Sequence, residues 1–150
     1  MTSATFLNVR NAETEPLDAS EALAFVSDRA NGAAFVFCGQ VRCSTGDEPR
    51  VSAITYDIFT PLFIRVVGAI SREARLSLGL NLRIYVVHAS GRVEAGQNAV
   101  VIAVGAPHRR EAFDACRYLI DEVKKRAPVW KLEHFEDGPE KWADGETIQP

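Results

Sequence analysis

The sequence predicts one α+β domain built on a mostly antiparallel sheet. Length, interleaved periodicities and short connections point there. The chain has 150 residues, 47% of them hydrophobic and 25% charged, which is the size and composition of an ordinary globular domain with enough core to need no metal or disulfide staple. Period-two and helical apolar patterns are mixed along the chain rather than alternating strictly. Turn signals between residues 81 and 105 allow hairpin connections, which disfavours a doubly wound nucleotide fold. No repeat, low-complexity tract or linker divides the chain. Residues 1–150 therefore read as a single domain, with 137–150 a polar tail anchored by Trp142 and expected to be disordered at its end.

In chain order, residues 5–10 read as a first strand. Asp18 with Glu21 resembles an N-cap and N3 pair. A helix then runs on Ala22, Leu23, Phe25 and Val26 to about residue 30, where Asn31-Gly32 stops it. Residues 33–42 are rich in strand formers. Alternation gives Phe35, Phe37 and Val41 one face, and Val36, Cys38, Gln40 and a terminal Arg42 the other. A loop leads to a strand over 51–59. Thr60-Pro61 opens a helix, hydroxyl cap then proline, that carries Phe63, Ile64, Val67, Ile70 and Ala74 to Gly79. Residues 81–88 form a strand. GRVEAGQN holds turn signals around a short strand, and 98–105 form the next strand. The last helix spans Pro107 to just before Pro128, because the residue preceding a proline avoids the helical region. Residues 129–135 alternate as a strand.

Net charge is −3 and the pI about 5.6, which argues against duplex DNA or an anionic membrane as partner. No apolar run approaches the roughly 18 residues of a membrane span. No secretory leader is visible at the start, so the expected address is the cytoplasm. Cys38, Cys43 and Cys116 are odd in number and form no C-x-x-C pair, so neither a disulfide framework nor a zinc site is expected. Cys116 and Cys38 read as core residues, and Cys43 borders a polar loop.

The charge is uneven. Residues 108–131 hold seven basic and four acidic residues, net +3, against −6 for the remainder. Such a segment suits a small anion or an acidic peptide tail; the alternative is a solvated helix face laced by ion pairs. On a helical wheel, Phe113, Cys116, Ile120 and Val123 share one stripe, with Lys124 at its edge and Lys125 toward solvent. Lys124 is thus expected to be partly buried: either a snorkelling lysine or one tuned for proton transfer. His108 and Arg109 stand at the N-terminus of the same helix, where free N–H groups and the dipole favour an anion; the alternative for His108 is simple capping. Alternation puts Lys131 and Glu133 on one face, and the Ala127-Pro128 turn can bring Lys131 back beside Lys124. His88, at the end of an apolar strand, reads as a satisfied structural histidine. His134 has no partner at metal-ligand spacing. No P-loop, G-x-G-x-x-G or Ser-His-Asp spacing occurs. No residue cluster calls for a metal or cofactor.

GAAFVFCGQVR, PHRREAF and above all DEVKKRAPVWKLE resemble the large, catalytic subunit of molybdopterin synthase. The resemblance covers about residues 30–142, with K-x-R-A-P-x-W-K its most specific element. It implies an α/β hammerhead-type fold that dimerises, forming a heterotetramer with a small ubiquitin-like subunit. That subunit's C-terminal Gly-Gly tail carries a thiocarboxylate. Its sulfur goes to cyclic pyranopterin monophosphate, and two transfers make the dithiolene of molybdopterin. Carried over by position, Lys124 and Lys131 match the family's essential lysines. Arg42, His108 and Arg109 match substrate-pocket positions, Phe37 an aromatic position near the tail channel, and Glu133 a nearby acidic one. His108 and Arg109 are expected to serve the other protomer's lysines.

The pattern departs from the family at His88-Ala89, at Tyr56-Asp57-Ile58-Phe59 and at Pro61-Leu62, positions that bear on small-subunit recognition or the dimer contact. The leading reading is a sulfurtransferase. The alternative is a non-catalytic dimeric module that binds the tail of a ubiquitin-like partner. A nucleotide- or RNA-binding domain fits the basic segment but not the acidic remainder.

Overall fold

The computed structural model describes residues 3–44 and 46–143. Seven strands and three helices follow in the order β1 (Thr5–Asn11), α1 (Ala19–Val26), β2 (Ala33–Gln40), β3 (Val51–Ile58), α2 (Thr60–Leu78), β4 (Arg83–Glu94), β5 (Asn98–Ala106), α3 (Arg109–Arg126), β6 (Val129–Phe135) and β7 (Lys141–Trp142). The sheet runs β2-β5-β4-β3-β6-β7, with every pair on this path antiparallel. The exception is β1, which lies parallel to β4. The expected α+β class holds.

β4 organises the sheet. It is one strand of 12 residues, not a strand over 81–88 followed by a separate short one. Its first half pairs with β1 up to Ser90, and from Gly91 the same edge pairs with β3. Gly91, at φ 78, takes the left-handed conformation at this switch of partner. The true hairpin turn comes later, at 95–97.

Alternation sorts the two faces of the sheet. Tyr85 stacks on Phe6 and packs with Phe25 on the α1 side, where its hydroxyl donates to Glu21 at 2.6 Å. Burial and that carboxylate push the Tyr85 phenol above its ordinary pKa. Ile84, Val86 and His88 point the other way, under α2 and α3, which are joined by Arg126 and Tyr118 on Glu73. The core is apolar and fully enclosed at Phe63, Ile70, Ile84, Ile102 and Leu119. Among the described residues, no helix is long and apolar enough to cross a membrane.

Several local expectations are corrected. α1 stops at Val26, because Ser27 closes the last turn onto Leu23 O and Asp28 starts a side-chain-capped turn at Ala30. Asp18 does cap it, accepting from Ser20 N–H at 2.8 Å, but Glu21 turns to Arg10 and Tyr85 rather than back to the cap. Phe59, not Thr60, holds the N-cap position of α2, without a side-chain cap bond. β2 ends at Gln40 with a bulge at Gly39/Gln40. Arg42 therefore lies beyond the strand, and the alternation extended to it fails. In the tail, Lys141–Trp142 pairs with β6. Trp142 is 53% exposed and is no hydrophobic anchor; strand pairing and the Glu140–His134 contact tie this segment down. Residues 144–150, where the tail's disorder was expected, lie outside the described residues.

Candidate active site

His88 is a buried ring on which the charges of both lysines act. Its ring is buried on the α2/α3 face of the sheet, edge-on to Tyr56 (5.1 Å between centroids) and Phe63 (5.8 Å). Its Nδ1–H donates to Ala89 O at 2.8 Å. Burial pushes its pKa down to about 4 against that hydrogen bond, and the charges of Lys131 and then Lys124 push the same way. A neutral imidazole thus floors a region bearing two ammonium groups. Adding a third charge there costs solvation and repulsion at once.

The surrounding elements place each lysine. Lys131 is half-buried on β6, directly opposite Tyr56 in the register with β3, so it shares the face on which Tyr56 covers His88. Glu133 follows on the same face, opposite Ile54, as alternation predicted. Lys124 comes from the last turn of α3, and the buried Ala127-Pro128 corner turns the chain from that helix into β6. Both lysine charges act on the His88 ring.

Lys124 itself is exposed, which corrects the wheel reading. The buried stripe of α3 is Ala112, Ala115, Cys116, Leu119 and Val123, turned about 60° from the expected one, while Phe113 is 52% exposed. The reason is tertiary. α3 rests on β5 and β2 and leans on α2, so two flanks are covered, and the small Ala112 and Ala115 allow close approach to the sheet. Burial raises the Cys116 thiol to about 12, as expected of an inert core residue, and also raises Cys38.

His108 and Arg109 sit elsewhere. They lie at the N-terminus of α3, in a surface pocket with Gly32, Pro107 and Arg110. His108 occupies the N-cap position but makes no side-chain cap bond, so the simple capping role is not the one it plays. A Cβ on Gly32 would stand 2.6 Å from Pro107 O; only glycine lets β2 enter this close to the pocket wall. Sixteen residues of helix separate His108 from Lys124, about 24 Å of rise. Within one chain they do not form one site. Arg42 is a third, exposed element beyond β2, where Val41 is clamped to the β4–β5 turn by bonds to Gln97 O (3.1 Å) and from Gly96 N–H (2.7 Å). Phe37 is half-buried on the α3 face of β2, opposite Ile102 and against Gly39.

The sequence reading did not pair Tyr56 with His88, nor set either beside Lys131. His88 looked structural, and it is satisfied as such. Only the register that sets Tyr56 against Lys131 brings that lysine's charge to bear on it. Among the described residues, no grouping of three His, Cys, Asp or Glu side chains could hold a metal ion. His134 instead bonds Thr55 Oγ1 at 2.7 Å and meets Glu140 at 3.1 Å.

Residues 12–126 match the sequence profile of the MoaE protein family. The chain belongs to that family. Among curated relatives, the molybdopterin synthase catalytic subunit of Nostoc sp. is 42% identical over 127 residues, covering 85% of this chain and 76% of the relative. That of Synechococcus elongatus is 45% identical over 133 residues, covering 89% and 80%. Among solved structures, molybdopterin synthase from Staphylococcus aureus superimposes with a TM-score of 0.83 at 28% identity, over 97% of this chain and 100% of that one. For a MoaE chain, the lysine pair around His88 and the cationic pocket at the start of α3 are the two groups of residues to be explained.

Proposed function

We propose that this chain is the catalytic subunit of a molybdopterin synthase acting in the cytoplasm. It takes sulfur from the C-terminal thiocarboxylate of a small ubiquitin-like subunit and adds it to cyclic pyranopterin monophosphate, twice, to form a dithiolene. The observation that carries the reading is the K-x-R-A-P-x-W-K element with Lys124 and Lys131 at its ends, their charges both acting on one buried ring, in a chain over 40% identical to curated subunits of that name.

The chemistry suits the residues. A cyclic phosphate and an anionic thioacid must meet, so the site needs several cations. The thiocarboxylate sulfur is itself the nucleophile. It forms the new C–S bond as a C–O bond at the same carbon breaks, the oxygen leaving with the phosphate or, after protonation, as water, and the tail's acyl group stays on that sulfur as a thioester. Water, or transiently the amine of Lys124, takes the acyl group, and the thiolate stays on the pterin. Lys124 is the principal acid/base and Lys131 its electrostatic partner, with Glu133 orienting them. Arg42, His108 and Arg109 grip the phosphate, and Phe37 lines the tail channel. The 24 Å or so between the ends of α3 is met by a homodimer in which His108 and Arg109 serve the other copy's lysines. Two small subunits complete a heterotetramer.

Reconstitution tests this. Purified protein, thiocarboxylated small subunit and cyclic pyranopterin monophosphate should yield dithiolene product, read by its fluorescent oxidation derivative. Lys124→Ala and Lys131→Ala should each lose about 10²- to 10⁴-fold in rate. A stable complex that makes no product would leave the protein a tail-binding module. Lys124→Arg separates the two further: it spares binding in both readings and abolishes turnover only in an enzyme.

A further inference from the structure

We propose that Lys141, on the two-residue strand β7, is a further binding residue for the small subunit's tail, receiving its anionic end at the rim of the sheet beside Lys131. This role deepens the function proposed above and rests on it. Its basis is the register of the last hairpin. Gly138, at φ 121, and Pro139 turn the chain back after β6. β7 then pairs antiparallel with β6, Trp142 opposite Leu132 and Lys141 opposite Glu133. Ala143 N–H donates to Lys131 O at 2.9 Å. Residues directly opposite share a face of the sheet. Lys141 therefore stands on the face of Glu133, Lys131 and Tyr56. Its Cβ lies about 5 Å from that of Glu133 and, on the diagonal, about 7–8 Å from that of Lys131.

The back of the same hairpin fixes that register. Glu140 meets His134 Nδ1 at 3.1 Å, and His134 Nε2 bonds Thr55 Oγ1 at 2.7 Å, so a carboxylate, an imidazole and a hydroxyl tie the start of β7 to β6 and β3. Ser52 Oγ donates to His134 O at 3.1 Å and anchors the imidazole's own strand. Because Glu140 lies on the His134 side, its neighbour Lys141 lies on the other. A slip of one residue would turn Lys141 to the back. Charge gives the placement its use. β7 ends the sheet, so an anion arriving over this rim meets Lys141 first and Lys131 one strand further in. Glu136 and Glu140 of the same hairpin are engaged with Arg50 and His134. Lys141 is exposed and joins no ion pair among the described residues, so its ammonium is available to a ligand. Glu133 offsets part of the charge of Lys124 and Lys131. Lys141 restores it where a thiocarboxylate and a cyclic phosphate must approach each other. A lysine on an edge strand also guards against stray strand pairing. The two roles differ in what they respond to: a guard repels any strand, whereas a receptor acts only on a tail that ends in an anion.

Binding of the small subunit separates them, with its Gly-Gly end prepared either as the free carboxylate or as the neutral carboxamide. In titration calorimetry, Lys141→Ala should weaken binding of the carboxylate form about three- to tenfold, and Lys141→Arg should restore most of the loss. The carboxamide form should bind wild type and Lys141→Ala alike. Glu140→Gln changes only the back of the hairpin; by loosening the register it should weaken the carboxylate form in the same direction and by less. In turnover, Lys141→Ala should raise KM for the thiocarboxylated small subunit while kcat and the KM for the pterin hold. Equal binding of the carboxylate form by wild type and Lys141→Ala, or a loss that the carboxamide form shares, would overturn the role and leave Lys141 an edge guard. A wild-type chain that binds the carboxylate form through Lys141 but makes no product would end the sulfur-transfer reading and keep this residue's role. Product formed with an unchanged KM in Lys141→Ala would do the reverse, and a wild-type chain that binds neither form would overturn both.

Discussion

His88 is a buried histidine that its surroundings hold neutral. Its Nδ1–H is spent on Ala89 O and its ring is enclosed by Tyr56 and Phe63, so it stays neutral under two lysines. This has a stability signature. The native pKa, about 4, lies below the roughly 6.5 of an unfolded histidine. Between those values the unfolded chain binds more protons, so stability falls as pH falls. The contribution is complete above about 6.5 and lost toward 4, on the order of 3 kcal/mol in all. Urea midpoints measured from pH 7 down to pH 5 should fall for wild type, and the slope should flatten in His88→Gln; an equal slope in both would assign the acid sensitivity elsewhere. Lys124 follows the opposite logic. It is exposed and supports no core, so Lys124→Ala should remove turnover while changing stability by less than about 0.5 kcal/mol, a contrast readable by melting and assay on one sample.

At the level of elements, two close approaches fix the end of α1 and the start of α3. Gly105 on β5 touches the end of α1 so closely that any Cβ would strike Val26 O and stand 2.9 Å from Asn31 Nδ2. Gly105→Ala should cost about 1–3 kcal/mol, measured by chemical denaturation; a change under 0.5 kcal/mol would mean that α1 yields freely. Gly32 acts nearer the site, donating its N–H to Pro107 O at 3.1 Å. Gly32→Ala displaces Pro107, and with it His108 and Arg109. The expected result is a raised KM for the pterin with kcat held, since anion grip and not proton transfer is disturbed. These glycines were visible in the sequence as residues, but not as contacts. Gly32 read as a helix stop, and α1 had already ended at Val26.

Over the whole molecule, a net acidic chain gathers its positive charge on one helix and the strand that follows. On the proposed function, such a field steers an anionic tail toward the site and is screened by salt. Association with the small subunit, followed by stopped flow, should slow several-fold as salt rises from about 0.1 M to about 1 M and the screening length falls from about 10 Å to about 3 Å. A salt-independent rate would place recognition in apolar contact alone, for which Phe59 and Leu62 are exposed at the start of α2.

The sequence by itself settled the class of fold, the place of every helix, and the Ala127-Pro128 corner between α3 and β6. These follow from local causes: periodicity, proline and glycine stops, and a motif whose residues are neighbours in the chain. It also gave the facing of Lys131 and Glu133, because β6 is short and regular. What it misplaced depends on partners far away in sequence. The bulge after Gly39 took Arg42 off its strand. The lean of α3 on α2 turned Lys124 and Phe113 outward, and the register of β3 with β6 brought Tyr56 over His88. Alternation and helical wheels assume an unbent element with one buried side. Only the tertiary structure decides where a strand kinks, how many flanks of a helix are covered, and so which cations can face one another.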